Sequence, residues 1–394
     1  MKTKTMPLGL FAEFRNGINY VAADTGDTVK VVGVGDFRDR MKLDSFAALS
    51  TITIKGCLSA EDELRDGDLL LVRSNGNKDL IGRCLIIRNP PPGVTFSGFT
   101  IRARVDRSVA LPEFVALLFQ GHAIKNHLLL AGGGNGNIAN LNQAMLRELE
   151  VPVPAIATQR TMLAVLSTWD AAIEKTERLI AAKERHYAHE LSRLISRAQH
   201  PHGHIGAFAR ELSERNRQGN ERVLSVTNSR GFVLPEEQFE RRVASADLSN
   251  YKVVRRGQYA YNPSRINVGS IARLDDWGDG VLSPMYVVFE IDQTKVDSDY
   301  FVHWLASHEA QQRIKNSAQG SVRETVAFGD FAAIHFPLPK RERQTRIAAY
   351  LSCLRDEVAL LERQTNQLRL QKRGLMQKLL TGEWRVPVAE EAVA

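Results

Sequence analysis

The chain has 394 residues, of which 43% are hydrophobic and 25% are charged, and its formal net charge is +7. Its length exceeds the roughly 250 to 300 residues at which a single hydrophobic core stops growing, so we expect more than one domain. No apolar run reaches the roughly 18 residues of a membrane span, and the N terminus has no secretory pattern, which predicts a cytoplasmic protein. The positive charge favours a polyanionic partner without requiring one.

The first segment, residues 1–154, is predicted to be a mixed, strand-rich domain. Apolar or β-branched runs bounded by Gly, Asp, Asn or Pro predict strands, as in VKVVGV from Val29, DLLLVRS from Asp68 and RCLIIR from Arg83. Short helices are expected in ALPEFVALLFQGHAIKNHLL from Ala110. The segment ends on VPVP, whose prolines predict the end of a strand and the start of a helix.

A long helix is predicted over residues 155–199. Neither proline nor glycine occurs between Ala155 and Gln199. Apolar residues recur there in alternating steps of four and three, which is a heptad pattern. The residues expected to pair with another helix are Leu166, Trp169, Ile173, Ile180 and Leu194.

Residues 200–338 are predicted to repeat the order of elements of the first segment. SPMYVVFEI from Ser283 predicts a strand, and DSDYFVHWLASHEAQQRIKN from Asp297 predicts short helices. RDGDL from Arg65 also resembles RRGQY from Arg255. Residue identity falls away outside such motifs, so we expect two domains of one fold with different surfaces.

A second long helix is predicted over residues 339–385, followed by a flexible tail at 386–394. The stretch from Val151 aligns without gaps on the stretch from Phe336 over about forty residues, and both begin apolar-Pro-apolar-Pro. The same heptad frame recurs in this helix. It predicts pairing through Leu351, Leu354, Val358, Leu361 and Leu379.

The predicted fold class is α+β. Two strand-rich domains are separated by two long helices packed as an intramolecular antiparallel coiled coil, in a pseudo-two-fold internal repeat. A helix with one apolar stripe must bury it, and a repeated copy is available within the chain. The repeat includes polar positions, since Gln159 aligns with Gln344. The alternative is that both helices belong to the core of one large domain.

Two strand-rich segments combined with two repeated helices resemble the specificity subunits of type I restriction–modification systems. The closing QKRGLMQKLLTGEWRV, from Gln371, is similar to the C-terminal ending of that family. GDLLLVRSNGNKDLIGR, from Gly67, resembles the signature of one type of target-recognition domain. A glycine-led approach to Pro-x-Pro occurs twice, as GNIANLNQAMLRELEVPVP and GSVRETVAFGDFAAIHFPLP. The resemblance covers nearly the whole chain, and its motifs are specific in combination.

The resemblance implies a non-catalytic, DNA-binding subunit of a methyltransferase and endonuclease complex. Two modification subunits, which bind S-adenosylmethionine, would clasp the chain, and restriction subunits that translocate and cut DNA would join them. No cofactor is expected in this chain, and no membrane. Each recognition domain would read one half of a split sequence on double-stranded DNA. About 35 helical residues extend roughly 50 Å, or about 15 base pairs, which is compatible with a role in setting the distance between the halves.

In the first domain, the loop after DLLLV combines residue types that read DNA. Arginine suits guanine, amides suit adenine, and lysine seeks phosphate. The candidate contacts of this loop are Arg73, Ser74, Asn75, Asn77, Lys78 and Arg83. The alternative is a polar β-turn, since Asn-Gly is a favoured turn pair. Arg102 and Arg104 are further candidates on a strand, where a solvated sheet face is the alternative, and GGGNGN from Gly132 is a candidate phosphate loop.

The second domain offers a run of guanidinium, amide and aromatic groups of the kind that a DNA-binding surface uses. Its candidates are Arg255, Arg256, Tyr261, Asn262, Arg265, Asn267 and Arg323. For the aromatic residues, Tyr259 and Tyr261, the alternative is a place in the core of a strand.

Two other classes of protein remain as alternatives. A self-contained DNA methyltransferase needs a glycine-rich cofactor loop and an Asn/Asp-Pro-Pro-aromatic motif, and GVGD from Gly33 and NPSR from Asn262 each miss essential positions. The other is a structural coiled-coil adaptor that does not bind DNA. No metal site is expected. The wide spacing of Cys57, Cys84 and Cys353 argues against a disulfide framework or zinc knuckle, and HPHGH at residues 200–204 is interpreted as a linker.

Overall fold

A computed structural model describes residues 4–38, 40–131, 140–228, 230–235, 247–318 and 325–387. The chain divides into two compact units. The first unit comprises Met1–Lys175 and Thr365–Ala394, and the second comprises Thr176–Gln364. The boundaries fall inside the two long helices, so each helix contributes one part to each unit. Among the described residues, no helix has the length and apolar character needed to cross a membrane.

Within the described residues, the first unit has ten strands, three short helices and parts of the two long ones. Its elements are β1 (Lys4–Pro7), β2 (Ala12–Asn16), β3 (Thr28–Val32), β4 (Lys42–Leu43), β5 (Ser50–Thr53), β6 (Leu69–Val72), β7 (Cys84–Ile87), β8 (Val94–Phe96), β9 (Thr100–Val105), α1 (Pro112–Leu118), α2 (His122–Ala131), α3 (Gln143–Glu148), β10 (Glu150–Val153) and the first part of α4 (Ile156–Leu191). The main sheet has the order β2-β9-β6-β7-β4, and β1 pairs with β10. A second sheet has the order β5-β3-β8.

The second unit repeats this order of elements. It contains β11 (His202–His204), β12 (Ala209–Leu212), β13 (Ser225–Thr227), β14 (Gly231–Val233), β15 (Lys252–Val254), β16 (Tyr259–Tyr261), β17 (Ile271–Arg273), β18 (Gly280–Leu282), β19 (Val287–Ile291), α5 (Ser298–Leu305), α6 (His308–Ala318), α7 (Phe328–Ala332), β20 (His335–Pro337) and the first part of α8 (Arg341–Leu380). Its main sheet has the order β12-β19-β16-β17, and β11 pairs with β20. This arrangement matches β2-β9-β6-β7 and the β1·β10 pair, and the predicted α+β class is confirmed.

A glycine turn starts the central strand of each main sheet. Gly67 and Gly257 both have φ of +86°, a conformation that residues with a Cβ rarely adopt. In the first turn the Arg65 amide donates to Asp68 Oδ2 at 2.8 Å, and in the second the Arg255 amide donates to Gln258 Oε1 at the same distance. The resemblance between RDGDL and RRGQY therefore reflects one shared turn structure.

A buried glutamine holds the start of each long helix against its own unit. Gln159 Nε2 donates to the carbonyls of Val109 and Pro154 at 3.2 and 2.8 Å, and its Oε1 accepts from the Leu111 amide at 2.8 Å. Gln344 makes the equivalent bonds, to the Lys295 and Pro339 carbonyls and from the Asp297 amide. Both side chains are at most 1% exposed. The amide supplies donors and an acceptor to backbone groups that burial would otherwise leave unpaired.

The heptad positions of the two helices face inward in both units. All ten residues named for pairing are buried or half-buried. In the first unit, Leu166 of α4 shares a core with Leu379 of α8, and Lys372 Nζ lies 2.5 Å from Asp170 Oδ1. In the second unit, Leu351 packs in one core with Leu191, and Lys183 pairs with Glu357 at 2.7 Å.

Candidate nucleic-acid interface

The predicted DNA-reading loop of the first unit lies at one end of the main sheet. It runs from Arg73 to Arg83 and joins β6 to β7. The register places Asn16 opposite Ile101 and Val72 opposite Thr100, so the end of β2, the end of β6 and the start of β9 meet at this end. The loops that follow or precede these strands are therefore neighbours.

Arg73 is anchored to the neighbouring turn by its backbone and its side chain. Its amide donates to the Phe99 carbonyl at 2.8 Å, and its Nη1 donates to the Gly98 carbonyl at 3.3 Å. The side chain is half-buried. The bond to Gly98 uses one of the five N–H donors of the guanidinium, and the other four are not part of it. Ser74 is also half-buried. A guanidinium held by one edge and open on the other is suited to reading a guanine.

Asn75 and Asn77 shape this loop through their own side chains. Asn75 Oδ1 accepts from the Asn77 amide at 2.8 Å, and Asn77 Oδ1 accepts from the Asp79 amide at 3.0 Å. Each forms a local side-chain turn of the kind asparagine favours, and the predicted contact residues lie on these turns. Both side-chain NH2 groups stay outside these bonds and can donate to a base. Arg83 closes the loop and is half-buried, and the Lys78 side chain lies outside the described part.

The prediction that Arg102 contacts DNA is wrong. Its side chain is 4% exposed, donates to the Glu61 carbonyl, and lies with its guanidinium carbon 5.8 Å from the centre of the Phe96 ring. Burial, with the neighbouring Arg104, lowers the pKa of this guanidinium. The solvated sheet face that was the alternative is also excluded for Arg102.

Arg104 is engaged within its own domain. It makes a two-pronged ion pair with Asp68, with both N···O distances 2.8 Å, and the Asp68 carboxylate is 1% exposed. This hydrogen bond raises the pKa of Arg104. Because releasing it would leave a buried carboxylate without its partner, we assign Arg104 a structural role.

The second unit has an equivalent loop between β16 and β17. The Asn262 amide donates to the Ser270 carbonyl at 3.2 Å, as the Val72 amide donates to the Arg83 carbonyl in the first unit. Gly269 directly precedes Ser270, Gly82 directly precedes Arg83, and both glycines have positive φ. This loop brings together three of the predicted residues, Asn262, Arg265 and Asn267.

Asn262 organises this second loop as Asn75 organises the first. Its Oδ1 accepts from the Ser264 amide at 3.0 Å, and its carbonyl accepts from the Arg265 amide at 2.9 Å. Arg265 is exposed, whereas Asn262 and Asn267 are half-buried. The loop therefore presents one arginine and two amides at the same end of its sheet as the Arg73 loop occupies in the first unit.

The prediction that Tyr261 contacts DNA is wrong, and the alternative of a core residue is confirmed. Tyr259 and Tyr261 are both 0% exposed. Tyr261 donates to the Val326 carbonyl at 3.2 Å, and burial raises its pKa. The short strand β16 has apolar clusters on both sides, so both tyrosines point into protein.

Arg255 and Arg256 lie on the turn before β16, at the other end of this strand from the Asn262 loop. Arg255 pairs with Glu214 at 2.6 Å through exposed side chains, and Arg256 is exposed. The structure therefore separates them from Arg265 and Asn267. Arg323 and the GGGNGN stretch lie outside the described residues.

The histidines at 200–204 make protein contacts. His200 is buried with its Nε2 2.8 Å from the Leu194 carbonyl, and His204 Nδ1 lies 2.9 Å from the Ala333 carbonyl. In the described part of the chain, no group of three or more His, Cys, Asp or Glu side chains could hold a metal ion.

One feature of each unit was missed by sequence reasoning. Phe99 and Met285 are 62% and 59% exposed and stand on the turn that precedes β9 and β19 respectively. SPMY begins a run that predicts a strand, and only the structure shows that the Met285 side chain, like that of Phe99, leaves the core. No signal in a single sequence separates them from the strands that follow.

Comparison with known proteins identifies a family that matches this chain. The model of the type I restriction modification DNA specificity domain matches residues 4–184 and 265–370, which is well over half of the chain. A similar curated protein is a putative type I restriction enzyme MjaX specificity subunit from Methanocaldococcus jannaschii. It is 22% identical over 342 residues, which cover 81% of this chain and 79% of that protein.

Solved structures show the same fold. One, from work on complex assembly and conformational transition of the type I restriction–modification system, has a TM-score of 0.61 at 16% identity and covers 97% of this chain and 98% of its own. Another, a type I restriction–modification S subunit from M. genitalium, has a TM-score of 0.52 at 14% identity with 96% of both chains covered.

The duplicated strand-rich unit, with a polar loop at the same end of each main sheet, defines a class of proteins built from two modules of one fold. The family match makes this specific. The chain belongs to the family of type I restriction–modification DNA specificity domains, whose function is recognition of DNA sequence.

Proposed function

We propose that the chain is the non-catalytic specificity subunit of a type I restriction–modification complex and that each unit reads one half of a bipartite DNA sequence. Two modification subunits, which would bind S-adenosylmethionine, dock on it, and restriction subunits join the complex. The first loop reads through Arg73, Asn75 and Asn77, and the second through Asn262, Arg265 and Asn267.

The repeated topology with dissimilar loops carries this proposal. The two main sheets share strand order, the glycine turn and the glutamine contact, whereas the loops differ in length and in most of their residues. A duplicated scaffold that keeps its backbone and changes one loop is suited to two different targets on one ligand. Base contacts of this kind specify sequence, while phosphate contacts only position the protein.

We further propose that α4 and α8 form an antiparallel coiled coil about which the two halves are related by a pseudo-two-fold axis. The contacts that support this are the Asp170–Lys372 pair in the first unit and the Lys183–Glu357 pair in the second, because residue numbers rise on one helix as they fall on the other. The helices would fix the number of unread base pairs between the halves.

The deciding experiment is methylome sequencing of a host strain with and without this chain, in the presence of its modification subunits. We expect a bipartite motif that disappears when the chain is deleted. A continuous motif, or an unchanged methylome, contradicts the proposal. Binding of the reconstituted complex to that motif should also weaken steeply with salt, since phosphate contacts release counterions.

The spacing role has its own test. Seven residues added to both helices lengthen each by about 10 Å, which corresponds to about three base pairs. The complex should then modify a motif with the same two halves and a longer gap. An unchanged gap would mean that the helices do not set the distance.

A further inference from the structure

The turns that carry Phe99 and Met285 are equivalent. In the first, the Thr100 amide donates to the Ser97 carbonyl at 2.8 Å, and in the second the Tyr286 amide donates to the Ser283 carbonyl at 3.0 Å. Phe99 and Met285 occupy the third position of these four-residue turns. Both lie at the start of the strand that pairs with the central one.

The strand register makes the equivalence exact. Leu71 of β6 lies opposite Ile101, and Tyr261 of β16 lies opposite Val287. Leu71 and Tyr261 are the same number of residues from their glycine turns, so Ile101 corresponds to Val287. Counting back two residues on each strand gives Phe99 and Met285.

A large apolar side chain occupies this position in both units, and it is exposed to solvent in both. A single exposed apolar residue on a protein surface needs no explanation. Here, however, the two turns share one serine and otherwise differ in sequence, and both place a large apolar group in solvent at 62% and 59% exposure. Two occurrences at one register position indicate a shared role.

Their neighbours are the polar groups proposed to read bases. Phe99 directly adjoins Arg73, which donates to the Phe99 carbonyl through its amide and to the Gly98 carbonyl through its side chain. Met285 lies at the end of its sheet from which the Asn262–Ser270 loop leaves, because Tyr261 ends β16 opposite Val287. A ligand that contacts one of these loops would therefore also contact the neighbouring exposed apolar side chain.

We propose that Phe99 and Met285 are specificity residues that make apolar contacts with thymine methyl groups, one in each half of the DNA target. This inference rests on the proposed function. The thymine methyl is the apolar group on base edges in the major groove, and it is read by apolar side chains beside arginine and asparagine contacts. A phenyl ring and a thioether chain differ in shape, as expected where the two halves have different sequences.

The test uses the reconstituted complex and duplexes that carry its methylome-defined motif. Each thymine of the motif is replaced in turn by uracil, which removes one methyl group and keeps every hydrogen-bonding group. We expect one position in one half at which wild-type affinity falls about fourfold, the effect of removing one buried methyl. Phe99→Ala should abolish the loss of affinity caused by uracil at that one position and keep the wild-type response at every other thymine. Met285→Ala should do the same at one position in the other half.

Leu10→Ala is the matched control. Leu10 is 74% exposed and lies just before β2, at the opposite end of the same sheet from Phe99. This variant should bind every duplex as the wild type does. Circular dichroism and co-purification with the modification subunits check that each variant folds and assembles.

Three results would overturn the inference while leaving the bipartite motif intact. Variants that keep the wild-type response to every uracil do not contact a methyl group. Variants that lose co-purification show that the turns bind protein. An increase in 2-aminopurine fluorescence on binding of the wild type, but not of Phe99→Ala, would mean that the side chain inserts between base pairs and unstacks them. Absence of a bipartite motif, by contrast, is a failure of the proposed function.

Discussion

The main sheet of the first unit places Leu69 opposite Ala103, whereas the equivalent pair in the second unit is Tyr259 opposite Phe289. As a whole the first core is mostly aliphatic with a few phenylalanines, whereas the second is rich in aromatic rings. Tyr259 and Phe289 stack with ring centres 5.1 Å apart. Two cores built from side chains of different size therefore support one strand order.

This difference indicates which features define the fold. Side-chain volume changes between the units, but the glycine turn and the buried glutamine do not. Hydrophobic residues of varied size can fill a core provided that the neighbours compensate, whereas a positive φ or an unpaired buried amide has few substitutes. The backbone arrangement is therefore kept by a few positions, and the rest of each unit is free to diverge.

The largest expected effect is on the aromatic core. Trp304 is 0% exposed, stacks on Phe301 at 5.6 Å between ring centres, and meets the edge of Phe336 at 5.1 Å. Trp304→Ala should lower the free energy of unfolding of the second unit by about 4 kcal/mol, because it leaves a large cavity. Hydrogen exchange measured peptide by peptide separates residues 176–364 from the rest.

Trp384→Ala is the control for this variant. Trp384 is 51% exposed, and a Lys378 ammonium lies 4.6 Å from the centre of its ring. Its loss should change stability by less than about 1 kcal/mol. Equal effects of the two substitutions would mean that the aromatic cluster does not support the second unit.

The second prediction concerns pH. His303 is 3% exposed, with Nδ1 3.0 Å from the Tyr187 hydroxyl and Nε2 2.9 Å from Ser352 Oγ. Burial, with the nearby Arg355, lowers its pKa to about 4. The corresponding helix α1 of the first unit buries Pro112 and five apolar residues and no titratable group.

Because the folded pKa of His303 lies below the ordinary value near 6.5, the unfolded chain binds the proton first as the pH falls. Stability of the second unit should therefore be constant above about pH 7 and decrease between pH 6.5 and 4, by about 3 kcal/mol in total. His303→Leu should lower stability at pH 7 and remove this dependence. A variant that keeps the full pH slope would assign it to other groups.

The internal repeat was visible in the sequence because it lies in long helices, where a heptad pattern and a Pro-x-Pro start persist. The alignment of Gln159 with Gln344 was also visible, but not its reason, since each glutamine contacts one carbonyl and one amide that lie about fifty residues earlier in the chain.

The site was harder to predict than the fold. The loop residues Arg73, Asn75 and Asn77 were named because their residue types stand on a loop marked by Asn-Gly, and their contact with DNA stays a prediction. Arg102 and Tyr261 were misjudged for one physical reason: each main sheet is covered on both faces, with Leu69 in one core of the first unit and Leu70 in another. Alternation along such a strand does not separate an inner from an outer face.

The glutamine contact should give equal effects in the two units, which sharpens the comparison. Gln159→Ala and Gln344→Ala should each cost about 2 kcal/mol, because both leave buried backbone donors or acceptors unpaired. Urea unfolding followed by hydrogen exchange measures both. Gln371→Ala, on an exposed face of α8, is the control and should be neutral. Strongly unequal losses would show that the repeat has diverged at this contact too.

The last expected effect is on DNA reading rather than on stability, and it should differ between the units. Arg73 of the first loop corresponds to Pro263 in the second, since their carbonyls accept from the Leu141 and Val326 amides respectively. Arg73→Ala should weaken binding of the motif by roughly 1 to 3 kcal/mol and relax one base position in one half, if its guanidinium reads guanine.

Arg107→Ala is the matched control for Arg73→Ala. Arg107 is an exposed arginine of the same domain that pairs with Asp66 at 3.0 Å, beyond the far end of β9. Titrations of the reconstituted complex with motif variants measure both, and Arg107→Ala should leave specificity unchanged because an exposed ion pair contributes little. If Arg73→Ala lowered the binding affinity equally for all sequences, Arg73 would be a phosphate contact. Neither loop would then have a base-reading arginine at this position. A loss confined to one half-site makes the loop, rather than the shared scaffold, the source of the difference between the units.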